Sequence, residues 1–277
     1  MISSDLEVCD GATAGAWIKP RLGREFGAVT LQVPKGYDAY ARIFHPASGP
    51  DGNPVRWAEV AEAAGTVAHR EMQWHAILGL AGPEELQVSY KAGTESGPNW
   101  AGQDPPIGEM DFDTLDALCG ILIAQTADPA HCYFGLCTIQ SWLGSFSAQE
   151  LKPLLKLPMG RDHIVLAGPL SAVDQIVRTD SSTNPNSITF SAQYGEGPSP
   201  EPGELDWKWR EAPNLIWPAD RSWFVVSEVD FDSSLVGGST ELIKAIVESP
   251  ELEAWQVEPT DSLAADADKV NQRFAPP

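Results

Sequence analysis

Basic residues are scarce in this chain of 277 residues. Lys and Arg number 18 against 39 Asp and Glu, which leaves a formal net charge of −21. A field of this sign repels phosphate backbones, so it argues against direct binding to nucleic acid or to an anionic membrane surface. Binding of a basic protein or of a cation is still permitted. The simplest interpretation of the charge is a solvated acidic surface.

Long apolar runs are also missing. Apolar residues make up 43% of the chain, as in ordinary globular proteins, but no run of them is long enough to cross a bilayer. The N-terminal stretch "MISSDLEVCDGATAGAWIKP" has neither the basic nor the apolar region of a signal peptide. We therefore expect a cytoplasmic protein.

Cysteine is rare, with four in total, and no pair has the close spacing typical of zinc ligands. The closest pair, Cys132 and Cys137, lies in "CYFGLC", which is typical of a buried strand. An odd separation along a strand places the two thiols on opposite faces. We therefore expect four reduced cysteines, no metal site and no cofactor.

Hydrophobic periodicity predicts an α+β fold. We expect a single domain over residues 1–277, with a mixed or mostly antiparallel sheet flanked by helices. The alternative is two subdomains, 1–100 and 101–277, because residues 79–110 are irregular and rich in Gly and Pro. The apolar faces predict a core that includes Trp57, Leu118, Leu122, Val165, Val225, Val229, Leu242 and Ile246.

Several element boundaries follow from local signals. Alternation in "GAVTLQVPKGYDAYARIFHPA" predicts a hairpin that turns at residues 34–36. Asn53 is expected to cap a helix that ends at Gly65, and Asp113 is expected to cap another. Ser239, before "TELIKAI", is the predicted cap of a third.

Aromatic and charged residues are most concentrated in "NLIWPADRSWFVVSEVDFD", which begins at residue 214. Trp217 and Trp223 bracket Asp220 and Arg221. Indoles supply apolar contact area with little entropy to lose, and a guanidinium supplies directional hydrogen bonds. We hypothesise that this loop forms the wall of a ligand or partner surface, with both indoles partly exposed. Alternatively the indoles pin the segment to the core, and Asp220 and Arg221 form a local ion pair.

The strand that follows carries carboxylates at alternate positions. Glu228, Asp230 and Asp232 are predicted to share one face, which could hold Mg²⁺ or Ca²⁺ or cradle a cationic group. Alternatively the strand simply emerges from the core into solvent, because calcium needs six or more oxygen ligands. We expect Glu228 and Asp230 to lie next to the tryptophan loop.

Known catalytic signatures are missing from the sequence: it has no zinc-protease, nucleophile-elbow or nucleotide-binding motif. His45 precedes a proline at the end of a predicted strand, and we assign it to the rim of the same surface. The favoured hypothesis is a non-catalytic binding or protein-interaction module for a small ligand or a protein with a basic surface. The alternatives are a hydrolase that uses His45 or His75 with these carboxylates, and an acidic decoy of a basic partner.

Five phrases of the sequence carry a resemblance. They are "VPKGYDAYARIFHPA", "RWAEVAE", "TADPAHCYFGLC", "NLIWPADRSWFVVSEVDFDSSLVGGS" and "DSLAADADKVN". Together they span most of the chain. The chain resembles an actinobacterial family of hypothetical proteins of similar length. The resemblance implies a bacterial cytosolic protein. That family has no assigned activity, so it implies no catalytic residues.

Overall fold

The structure is a computed structural model that describes residues 5–80, 82–83, 99–140, 143, 146–181 and 206–271. Its α-helices are α1 (Gly11–Ala14), α2 (Val29–Gln32), α3 (Trp57–Ala64), α4 (Trp74–Ile77), α5 (Phe112–Gln125) and α6 (Thr240–Val247). Its 3₁₀ segments are Lys19–Arg21, Thr138–Gln140, Pro158–Gly160 and Leu170–Gln175.

The strands are β1 (Glu7–Cys9), β2 (Ala39–Phe44), β3 (Ala47–Ser48), β4 (Pro54–Val55), β5 (Cys132–Cys137), β6 (Leu155–Lys156), β7 (Asp162–Gly168), β8 (Val177–Ser181), β9 (Asp206–Arg210), β10 (Leu215–Pro218), β11 (Phe224–Ser227), β12 (Ser233–Gly238) and β13 (Ala254–Val257). Nine of them form one sheet in the order β1-β7-β5-β10-β11-β12-β2-β13, with β6 also paired to β7.

Every pairing in this sheet is antiparallel. The predicted α+β class, with a mostly antiparallel sheet flanked by helices, is therefore confirmed. Strands from both sides of residue 100 share the sheet, and the domain boundaries themselves stay a prediction. Within the described part of the chain, no helix is long and apolar enough to cross a membrane.

Both faces of the sheet are buried. On one face, α5 and α6 pack against the strands, and the cluster includes Leu118, Leu122, Ile246, Phe134 and Val225. The opposite face is covered by the N-terminal segment and by residues near 257–263, and its cluster includes Trp17, Val29, Leu215, Phe224 and Val226. A third cluster forms where α3 and α4 pack beside β2. A strand covered on both faces needs apolar residues at every position, which obscures simple alternation.

Seven of the eight predicted core residues are buried, and Val229 is the half-buried exception. The prediction was accurate in α5 and α6 because their 3.6-residue periodicity follows directly from one-sided packing. The cap of α6 is also as predicted: Ser239 Oγ accepts from the Leu242 N–H at 3.2 Å. For α5 the predicted cap is wrong by two residues, since Asp111 rather than Asp113 accepts the Thr114 N–H, at 2.9 Å.

The predicted hairpin around residues 34–36 is wrong. Its first half is the helical turn α2, in which Val29 and Val33 are both fully buried. Residues four apart share a helical face, whereas the alternation that suggested a strand counted residues two apart. Only the second half is a strand, β2, and its neighbours in the sheet are β12 and β13.

Helix α3 begins at Trp57 rather than after Asn53. Pro54 and Val55 pair with Ala47 and Ser48 in a short antiparallel ribbon, which removes them from the helix. Its end is as predicted, because Gly65 adopts the left-handed conformation at φ 70°.

Candidate functional site

The two tryptophans of the predicted surface are buried, each with 1% of its area exposed. Trp217 stacks between Tyr133 and Phe224, at centroid distances of 5.4 and 6.1 Å. Trp223 lies on the opposite face, where its indole N–H donates to Thr126 Oγ1 at 2.8 Å. The prediction that both indoles are partly exposed is therefore wrong. The reason is that β10 and β11 are interior strands of a sheet covered on both sides.

Asp220 and Arg221 occupy the turn between β10 and β11. The Asp220 carboxylate accepts from the Ser222 N–H at 2.9 Å. Arg221 has a left-handed backbone, φ 61°, and an exposed side chain whose Cζ lies 5.4 Å from the centroid of the Trp17 ring. Among the described residues, neither Asp220 nor Arg221 forms a salt bridge. The local ion pair between them is thus not formed.

The carboxylates after β11 do not share one face, since the strand ends at Ser227. Glu228 and Asp230 instead lie in a turn, and both bind one guanidinium, that of Arg161. Asp232 faces Arg42, with an N···O distance of 3.6 Å. Within the described residues, no group of three His, Cys, Asp or Glu side chains is arranged to hold a metal ion.

Arg161 closes one side of a small cavity of about 40 Å³ at the end of β5, β7, β10 and β11. Most of its lining is apolar: Leu22, Leu31, Leu157, Leu215, Val226 and Val229. Glu228 also reaches it, so the cavity is apolar inside and charged at its edge. Hydrogen bonds and charge from Glu228 and Asp230 more than offset the effect of burial and raise the pKa of Arg161.

Two further polar side chains, Cys137 and His163, line the same cavity and are directly opposite each other on β5 and β7. Burial lowers the pKa of His163 to about 4 and raises the pKa of the Cys137 thiol. Both groups are therefore uncharged at neutral pH. No thiol–imidazole hydrogen bond joins these two described residues; the His163 ring contacts the Arg161 carbonyl at 3.2 Å.

His45 is fully buried, so its predicted place on the rim of a surface is wrong. Its Nδ1 lies 2.9 Å from the Pro106 carbonyl oxygen, which can only accept, so Nδ1 carries the proton. Nε2 then accepts from the Ser234 hydroxyl at 2.8 Å, and Ser227 donates to Ser234 at 2.6 Å. Burial lowers the pKa of His45 to about 4. The ring is a satisfied core group, because both nitrogens already have partners.

Of the predicted site residues, the structure thus brings together Glu228, which lines the cavity, and Asp230, which binds the same guanidinium outside it. It separates them from Trp217, Trp223, His45 and the Asp220–Arg221 turn.

No family model, no curated protein and no solved structure matches this chain.

The resemblance to the actinobacterial family therefore stays a prediction. Sequence reasoning missed Arg161, the residue that organises the cavity. It follows a 3₁₀ segment and an unremarkable "MGRDH" stretch, and its partners are 67 and 69 positions away. No local signal separates it from other surface arginines. Cys137 was noted only as a buried thiol.

Proposed function

We propose that this protein is a non-catalytic binding module, and that its ligand is a small organic cation with an apolar end. The observation that carries the proposal is the cavity beside Arg161. It combines an apolar interior with two carboxylates that share one guanidinium. Apolar pockets with a few convergent polar groups are the usual form of small-molecule sites.

The charge at the edge of the cavity determines the sign of the charge that the ligand carries. Glu228 and Asp230 carry two negative charges against the single positive charge of Arg161, which leaves one negative charge in excess. A ligand ammonium group can share these carboxylates with the guanidinium. The net charge of −21 over the whole chain favours the approach of a cation for the same reason.

The size of the apolar end follows from the volume. A cavity of about 40 Å³ has room for roughly three water-sized groups, since each needs about 10–15 Å³ by this measure. A short alkyl chain fits this space against Leu157, Leu215 and Val226. The charged end then remains near Glu228, which is largely but not fully buried, with 11% of its side chain exposed.

Binding is favoured over acid–base chemistry by the state of the polar residues. A general base needs a pKa near the working pH, and an attacking thiol needs a lowered pKa. The pKa of His163 is instead lowered to about 4, away from neutral pH, and the pKa of the Cys137 thiol is raised. The hydrolase and decoy alternatives are left without a specific observation in their favour.

The test uses three ligands of one shape: butylammonium, butanol and butyrate. Calorimetry should give the strongest binding for butylammonium. Glu228→Gln should weaken it about tenfold, because a charged hydrogen-bond partner is lost. Glu62→Gln, an exposed carboxylate on α3, is the matched control and should change nothing. Equal binding of butanol, stronger binding of butyrate, or no binding at all contradicts the proposal.

A further inference from the structure

A second cluster lies along the same sheet face and shares no residue with the cavity. Trp17, which is 92% buried since only 8% of its area is exposed, packs edge-on against Phe224 at a centroid distance of 5.8 Å. Phe224 in turn stacks on Trp217. A continuous row of aromatic rings thus runs from the sheet interior to Trp17, which lies beneath the exposed side chains of Arg21 and Arg221.

Two guanidiniums converge on this one indole. The Cζ atoms of Arg21 and Arg221 lie 5.5 and 5.4 Å from the Trp17 ring centroid, within the range of cation–π contacts. Both side chains are exposed, and neither forms a salt bridge with any residue that the structure describes. The chain has more than twice as many acidic as basic residues, so two arginines without a salt bridge at one indole are a local reversal of sign.

Two buried polar donors near these arginines have no hydrogen-bond partner among the described residues. Trp17 Nε1 and the Tyr37 hydroxyl are both shielded from solvent, and neither makes a hydrogen bond within the described part of the chain. A buried donor without an acceptor destabilises the folded state, because it loses its hydrogen bonds to water and gains none. The Tyr37 hydroxyl is close enough to Arg21 and Arg221 for both charges to oppose the rise that burial causes in its pKa.

The backbone at Arg221 is also unusual. Its φ of 61° is the left-handed conformation, which is unfavourable for a residue other than glycine. Its N–H donates to the Pro218 carbonyl at 2.9 Å, which closes the turn. A glycine or an asparagine adopts this left-handed conformation more easily than an arginine. We therefore associate the strain with the Arg221 side chain, which the turn places over Trp17.

We propose that Trp17, Arg21, Tyr37 and Arg221 form a binding site for a phosphate group. Arginine forks match phosphate oxygens, and the indole N–H and phenol O–H supply two further donors. A phosphate group offers more acceptor oxygens to these four donor groups than the two oxygens of a carboxylate. The exposed arginine side chains rotate to admit the ligand and expose the two shielded donors.

The negative net charge restricts the ligand rather than excluding it. Charges beyond about 8–10 Å are largely screened at physiological ionic strength, so the two arginines dominate at the site, against the nearby Asp220. A polyanion extends over the acidic surface and is repelled. The ligand is therefore a small phosphate ester, and inorganic phosphate is its simplest probe.

The experiment follows the Trp17 indole N–H in ¹H–¹⁵N spectra of the intact protein as phosphate is added at constant ionic strength. The Trp17 resonance is identified by its loss in Trp17→Phe. We expect it to shift in a saturable way. Arg21→Gln and Arg221→Gln should each weaken binding about tenfold or more, because each removes a charged donor.

Arg24→Gln is the matched control, since Arg24 is exposed and three residues from Arg21. It should leave the titration unchanged, as should Glu228→Gln at the cavity. Because both arginine variants alter exposed side chains, they test binding without changing the core. No saturable shift, an equal shift with chloride or acetate, or an equal loss in Arg24→Gln would overturn the proposal.

Discussion

Trp217 and Trp223 lie on opposite faces of the same antiparallel sheet, although only six positions separate them. Trp217 belongs to the aromatic row that ends at Trp17, and Trp223 packs beneath α5 and α6. The loop that joins them therefore holds together two separate cores. Of the predicted site residues in this loop, Asp220 and Arg221 are the exposed ones.

The first prediction concerns these two indoles. Trp217→Ala and Trp223→Ala should each lower the free energy of unfolding by about 3–5 kcal/mol, since each leaves a large cavity in a different core. Urea unfolding is the measurement. Trp255→Ala, on the edge strand β13 with 36% of its area exposed, is the control and should cost much less. Loss of ligand binding at unchanged stability would contradict a structural role.

The second prediction concerns His45 and His163, which burial holds neutral, with a pKa of about 4 each. The unfolded chain binds protons at these rings near pH 6.5, so it takes up more protons than the native state between about pH 4 and 6.5. Stability should therefore be complete above pH 6.5 and fall as the pH drops towards 4. Each ring contributes roughly 3 kcal/mol over this range.

Urea unfolding from pH 7.5 to 4.5 measures the effect. His163→Asn should reduce the slope by about 1.4 kcal/mol per pH unit, the value of one proton. A wild-type stability that does not change over this range would show that neither ring is held neutral by burial.

The third prediction concerns the start of α3. The Glu253 carboxylate accepts from the N–H groups of Trp57 and Ala58, at 2.6 and 2.8 Å, and so caps the helix in place of a local residue. Glu253→Ala should cost about 1–2 kcal/mol in thermal or urea unfolding. Glu251→Ala, an exposed neighbour, is the control. Equal effects of the two substitutions would rule out a specific cap.

The fourth prediction concerns Asp268, which ties the segment after β13 to the chain before α4. Burial alone would raise the pKa of Asp268, but hydrogen bonds from His69 and Asn271 lower it to about 2. The His69 Nε2–Asp268 Oδ1 distance is 2.8 Å. Asp268→Asn should cost about 2 kcal/mol, the usual range for hydrogen bonds to a charged group.

Because the folded pKa is depressed, this contribution is present above about pH 4 and is lost as the pH falls towards 2. Faster proteolysis near the C-terminal end of the described chain should accompany the substitution. Asp266→Asn, which weakens an exposed contact to Lys269, should have much less effect. Similar proteolysis of the two variants would contradict an anchoring role for Asp268.

The sequence alone was sufficient for the α+β class, for strands β5 and β7, and for the helices α5 and α6. These elements depend on contacts within a few residues: helical periodicity, local capping and alternation or continuity of apolar residues. Seven of the eight core residues predicted from the same local signals are buried. These signals also predicted a strand where α2 forms, because a short apolar stretch fits both periods.

Only the tertiary structure decided where the functional groups meet. Glu253 caps a helix 196 positions away, Arg161 binds carboxylates 67 and 69 positions on, and Arg21 and Arg221 converge on one indole. Which strands are neighbours determines each of these contacts, and β2 lies between β12 and β13 in the sheet. Long-range pairing depends on the packing of the whole chain, so a local pattern can nominate Arg221 but cannot place it over Trp17.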